Sequence, residues 1–399
     1  MKNVKYVFLV ILLVSVSRVF SQIPVLDSAF TVSEQFEAKK DYKSAITAVT
    51  NVYDQSSYEI NLRLGWLYYL SGQYATSESY YKKAIDLMPN TIEPRLGYTT
   101  AAGSLTNNAD DLIAQYSKIL QVDPQNSYAN YWIGMVYYNK KDYQTAEPYF
   151  EKVVNLYPFD YSSLLMDGWT KYRLGKTTEA KILFRKVLCA SENDKSASEG
   201  LSLISDANNS TLVTEKEIAS CFNQSEKLES NKDYKTAISV MNKVYDKSSY
   251  EINLRLAWLY YEAGENTESE NYYKVAIDIM PYSVQPRLGY ATAAAALGNA
   301  DQLITQYSKV LEIDPQNTEA NYWLGMVYYN KKDYQNADKY FQKIITLYPF
   351  GYDGLDMAAW TRFRLGKSTD AKHLFEKVLL ITPLDNEIQE VLGKLSASR

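Results

Sequence analysis

Apolar residues recur along this chain at helical, not strand, spacing. In the stretch from Tyr131 to Pro158, Ile133, Gly134 and Tyr137 share one helical face, and Ala146, Phe150 and Val153, four and three apart, share another. Between the two faces stands "NKKDY", whose Asn and Asp favour turns and caps. "LYP" ends the second run, because proline cannot continue a helix. The pattern therefore predicts two helices joined by a tight turn. Neither can bury its apolar stripe alone, so a further pair must stack on it.

That unit is repeated. Prolines close units at Pro89, Pro124 and Pro158 and again at Pro281, Pro315, Pro349 and Pro383, spaced by 34 or 35 residues. A period of this length marks a helical solenoid. A longer repeat lies above it. "SSYEINLRLGWLYY" (56–69) returns as "SSYEINLRLAWLYY" (248–261), and the stretch from Tyr131 returns from Tyr322. Two arrays of about five units each follow, over 22–204 and 215–399. Each closes on an extra helix, and 205–214, rich in turn formers, reads as a linker. The third unit of each array has an irregular turn, and the first units lack the closing proline.

The small and large residues form a packing code. Gly134 and Ala146 are small where two helix backbones cross, and Tyr137, Phe150 and Val153 fill the space around them.

On these residues the chain resembles the tetratricopeptide repeat family. The match runs through Gly134, Tyr137, Ala146, Phe150, Val153 and Pro158, and again through Gly325, Tyr328, Ala337, Phe341, Ile344 and Pro349. A looser copy is Gly65, Tyr68, Ser77, Tyr81, Ala84 and Pro89. The resemblance covers nearly all of the chain after its leader. It implies an all-α fold, a right-handed superhelical solenoid of stacked antiparallel helix pairs. It also implies a groove, lined by the first helices, that holds a peptide or partner protein.

Transferring the family's groove positions gives a candidate set. In the first array it is Trp66, Tyr69, Tyr131, Met135, Tyr138, Asn139, Trp169, Tyr172 and Arg173. In the second it is Trp258, Tyr261, Tyr322, Met326, Tyr329, Asn330, Trp360, Phe363 and Arg364. Aromatic anchors with scattered Asn and Arg suit an extended peptide or a helix. The same rings also suit stacking on sugars, which makes a carbohydrate or cell-wall binder the alternative. The opposing reading of each ring is packing between neighbouring helices. The carboxylate clamp of some family members is not matched, since Trp66, Met135, Trp258 and Met326 hold the corresponding positions.

The first 21 residues differ from the rest. Lys2 and Lys5 precede the apolar run Tyr6–Val16, and small residues stand at Val19 and Ser21 before Gln22. This is the pattern of a secretory signal peptide cut before Gln22, so an exported protein, periplasmic or extracellular, is expected. The run is short for a membrane span, and no stable insertion is expected after cleavage. The formal charge is −5; removing Lys2, Lys5 and Arg18 leaves −8. That balance gives no broad basic footprint for nucleic acid.

Little suggests catalysis. The single histidine, His373, reads as a helix-surface residue, and no phosphate loop, paired-cysteine motif or nucleophile elbow is present. No cofactor and no metal are expected. Cys189 and Cys221 stand either as a bridge pinning the junction of the arrays or as two small apolar residues on separate helices. The sequence thus points to a non-catalytic scaffold that binds protein.

Overall fold

The computed structural model describes residues 25–105, 109–204 and 211–397. The signal peptide expected over 1–21 lies outside them. Helices fill the described residues, no strand occurs among them, and no helix there is long and apolar enough to cross a membrane.

The backbone forms two compact units, and they do not follow the two arrays. One unit gathers the described residues of Met1–Asn108 with those of Tyr328–Arg399; the other is Ala109–Val327. The first unit opens with α1 (25–38), α2 (Tyr42–Thr50), α3 (Tyr58–Leu70), α4 (Tyr74–Leu87) and α5 (Glu93–Ala102). It ends with α19 (Tyr334–Leu347), α20 (Tyr352–Arg364), α21 (Ser368–Ile381) and α22 (Asn386–Ala397). The second unit holds α6 (Ala109–Val122), α7 (Ser127–Asn139), α8 (Tyr143–Leu156), α9 (Tyr161–Arg173), α10 (Thr177–Ala190) and α11 (Lys195–Ile204). It continues with α12 (Thr211–Ser230), α13 (Tyr234–Asn242), α14 (Tyr250–Glu262), α15 (Asn266–Ile279), α16 (Gln285–Ala296) and α17 (Ala300–Ile313). The division falls inside α18 (Thr318–Asn330). Of the linker read at 205–214, residues 205–210 lie outside the described set, and α12 begins at Thr211.

The turns use the chemistry expected of them. Asp142 accepts from the backbone N–H of Thr145 at 3.2 Å and caps α8. Asp41, Asp233 and Asp333 do the same for α2, α13 and α19. Just before each stands a lysine in the left-handed region: Lys40, Lys141, Lys232 and Lys332, with φ of 60–63°. Gly72, Gly175, Gly264 and Gly366 hold that place in other units.

The packing code holds at atomic detail. Phe150, Phe184, Phe341 and Phe375 have no exposed surface. A Cβ built on Gly134 would come within 2.8 Å of the Phe150 ring, and one on Gly168 within 2.9 Å of Phe184. Some rings sit in a socket with glycine on two sides. Tyr81 lies 2.9 Å from a Cβ on Gly65 and 2.3 Å from one on Gly97. Glycine lets two helix backbones close tightly on one ring, and burying such a ring stabilises by ~1.5–3 kcal/mol.

Within the first unit the chain's two ends share one core. Phe30, Val49, Ile60, Leu64 and Leu67 pack with Leu380, and Phe350 lies against them. Within the second unit Phe222, Ala237, Met241, Ile252 and Leu256 form the corresponding core, with Phe159, Cys189 and Cys221 against it. The two cysteines form no disulfide and lie partly buried against this core.

Candidate functional site

The candidate residues all lie on first helices of the pairs. None is fully buried: Trp66, Asn139, Arg173, Trp258, Asn330 and Arg364 are exposed, and the others half-buried.

In the second unit, α7 carries Tyr131, Met135, Tyr138 and Asn139, and α9 carries Trp169, Tyr172 and Arg173. The Arg173 guanidinium stands beside Tyr138, whose oxygen raises the Arg173 pKa, and it lies over the Tyr172 ring at 5.9 Å. Tyr138 meets Tyr143 edge-on at 5.2 Å. Trp169 is divided between surface and core. Its ring packs on buried Phe184 at 5.1 Å, and its Nε1 donates to Ser196 at 2.8 Å. Tyr131 likewise leans on buried Phe150 at 5.8 Å. On α14, Trp258 lies 5.8 Å from Tyr261. On α18, Tyr322 meets Trp323 at 5.4 Å, and Met326 follows one turn on.

In the first unit the pattern recurs. Trp66 stacks on Tyr69 at 5.8 Å. Arg364 stands beside Tyr329, whose oxygen raises the Arg364 pKa; Asn330 is the next residue along. Trp360 packs on Phe363 at 6.0 Å and on buried Phe375 at 5.0 Å. The structure thus places Arg173 beside Tyr138 and Arg364 beside Tyr329. It gives Tyr131, Trp169 and Trp360 a share in the core.

Trp258 borders a cavity of about 390 Å³ inside the second unit, with Tyr157, Glu226, Arg255, Leu288 and Glu319 in its wall. Arg255 is held firmly: its Nε donates to Ser225 at 2.9 Å and its Nη1 meets Glu229 at 2.6 Å. The other oxygen of Glu229 accepts from the Trp258 indole at 2.7 Å. Arg255 Nη2 is buried and has no hydrogen-bond partner, so a donor remains available in the wall. Glu226, half-buried, has its carboxyl pKa pushed up by desolvation. Arg63, Glu37 and Trp66 repeat the Arg–Glu–Trp chain in the first unit, with a 2.8 Å indole bond to Glu37.

A second cluster was not legible in the sequence. Lys171, 4% exposed, is ringed by Glu147 at 2.8 Å, Glu151 at 2.5 Å and Glu179 at 3.0 Å, and Lys176 meets Glu147 at 2.6 Å. The three carboxylates lie close enough together to hold a metal ion. The lysine ammonium already stands where a cation would, so the cluster reads as an internal charge knot. Asp167, one turn away and 1% exposed, has its carboxyl pushed up to about 7 by burial. In the second array Arg362, Asp338 and Lys367 make a reduced version, with Ala358 in place of Asp167. His373 is exposed, as expected.

On α7 and α18, three exposed rings are absent from the candidate set: Tyr128 (42%), Trp132 (38%) and Trp323 (43%). The signal was present in the spacing. Tyr128, Trp132, Met135 and Asn139 stand at four, three and four, which is one helix face.

Models of the tetratricopeptide repeat match residues 58–91, 127–160 and 319–350, and a further TPR repeat model matches 293–332. A TPR repeat-containing protein of Methanocaldococcus jannaschii is 21% identical over 338 residues. The match takes in 75% of this chain and 58% of that relative, so the chain spans little more than half of its length. Among solved structures, MamA protein aligns at 20% identity and a TM-score of 0.39, over 46% of this chain and 97% of its own. The APC/C hetero-tetramer Cut9–Hcn1 aligns at 14% identity and 0.34, over 93% and 83%. With its period and stacked helix pairs beside the repeat models over 58–91, 127–160, 293–332 and 319–350, the chain carries tetratricopeptide repeats.

Proposed function

We propose that this protein is an exported, non-catalytic scaffold that holds a peptide or partner protein against the first-helix faces. The observation that carries this reading is Trp258. It is 40% exposed, yet fixed by its bond to Glu229 beside a cavity of about 390 Å³ with an unpaired guanidinium nitrogen. An aromatic held rigid but uncovered is what an anchoring contact requires. The cavity wall is mostly apolar with few polar groups, as peptide-anchoring pockets are. Export rests on the leader pattern of residues 1–21.

The test is crosslinking and affinity purification of the mature protein from its native envelope. Tyr138→Ala/Tyr329→Ala and Trp258→Ala serve as controls, matched to wild type by circular dichroism. A protein recovered with wild type and lost with Trp258→Ala supports the reading. Equal recovery by all three overturns the assignment of these faces. Quenching of tryptophan fluorescence by glycans, with no protein recovered, moves the assignment to carbohydrate.

A further inference from the structure

Each array's end is docked on the other array's start, and the two joins use the same positions. In the second unit Lys186 Nζ meets Glu251 Oε1 at 2.8 Å, and the backbone N–H of Val284 donates to the Leu156 carbonyl at 2.9 Å. In the first unit Lys377 Nζ meets Glu59 Oε1 at 2.8 Å, and Ile92 N–H donates to the Leu347 carbonyl at 2.9 Å. The neighbouring interactions correspond too. Phe159 N–H donates to Gln285 Oε1 at 3.3 Å, and Phe350 N–H to Glu93 Oε2 at 3.0 Å. Phe159 packs on Phe222, and Phe350 on Phe30.

The joins differ in how they are tethered. The one at Lys186–Glu251 lies within a continuous stretch of chain. The one at Lys377–Glu59 brings together segments separated by the whole of the second unit, with nothing but side-chain and backbone interactions to hold it.

We propose that the array start around Glu59 and Ile92 is an exchangeable docking surface whose second occupant is the array end of another copy of this chain. The second unit shows what such a surface accepts: an array end of nearly the same sequence, held through the same positions. When the terminal join opens, a start from one copy and an end from another can rebuild the same ion pair, the same backbone hydrogen bond and the same ring packing. The exchange then turns on concentration alone, and swapping of identical elements between copies is a low-cost route to dimers.

Charge reversal tests this on the full chain. Glu59→Lys places two lysines at the terminal join, and Lys377→Glu places two acids there. Each chain alone is expected to run as a monomer. Mixed in equal amounts, the start bearing Glu59→Lys meets the end bearing Lys377→Glu, and the two unaltered sides meet each other. The mixture is then expected at twice the monomer mass by light scattering. One chain carrying both reversals should return to monomer with the wild-type urea midpoint. Where a single reversal unfolds its chain, the two are refolded together from urea, because each start still has one matched end. A mixture that stays at monomer mass while the double variant regains the wild-type midpoint overturns the exchange. A double variant that gains nothing over either single reversal overturns the pairing itself.

Discussion

Adding one methyl group at Gly97 is expected to cost far more than adding it at Gly65, although both glycines face the same ring. Tyr81 is 4% exposed and lies between them. A Cβ on Gly97 would fall 2.3 Å from two ring carbons, against 2.9 Å for one on Gly65. Carbon atoms prefer separations of ~3.5–4.0 Å, so Gly97→Ala demands a displacement of more than ~1 Å, and Gly65→Ala about half of that. The ring has nowhere to go, since moving off one helix drives it into the other. Overpacking costs ~1–3 kcal/mol, and alanine returns up to ~1 kcal/mol over glycine inside a helix. Gly97→Ala should therefore lose about 1–2 kcal/mol net, and Gly65→Ala should lie near zero. The second array supplies a precedent, because Ala257 stands, fully buried, at the position of Gly65. Urea unfolding followed by far-ultraviolet circular dichroism measures both, with the slope checked for a change in cooperativity. A Gly97→Ala midpoint at or above that of Gly65→Ala would refute the socket argument.

Gly134→Leu should lose about 1–3 kcal/mol in the same assay, because its first added carbon already meets Phe150 at 2.8 Å. Lys141→Gly relieves a left-handed backbone at φ 63° and should raise the unfolding free energy by about 0.5–1 kcal/mol; a lowered urea midpoint would count against strain there. Asp167→Ala carries a pH signature. The carboxyl pKa is raised to about 7 in the folded chain, so no charge is buried when it is protonated, and the cost of burying the charge grows as pH rises from the unfolded value of 3.8 to about 7. The variant should match wild type near the lower limit and exceed it by about 1–4 kcal/mol above the upper, and a pH-independent difference would refute the assignment. Lys171→Met strips the ammonium from Glu147 and Glu151 and should cost about 3 kcal/mol at neutral pH; a neutral result would show that the acids find other partners.

Much of the fold was legible because repetition makes one local rule visible many times. Gly134, Phe150 and Pro158 announce a unit alone, and their copies confirm it. On the candidate faces, Tyr138 and Tyr329, taken from the family's groove positions, are half-buried, whereas Trp132 and Trp323, which those positions passed over, are exposed. The charge knot was hidden because Lys171 takes its partners from α8 and α10, at separations that carry no periodic signal. The joins were hidden for a stronger reason. Duplication says that two arrays are alike, but not that Lys377 seeks Glu59 across the length of the chain.

That last separation orders events on the ribosome. The first unit's core needs Leu380 beside Phe30 and Ile60, so the opening helices emerge long before their partner exists. Synthesis runs at ~5–20 residues per second, so about 275 residues beyond α5 take roughly 15–55 seconds. The second unit, continuous in sequence, is complete within that interval. The earliest helices to be made are therefore among the last to find their full set of neighbours, and throughout that interval their apolar faces must be kept from other company.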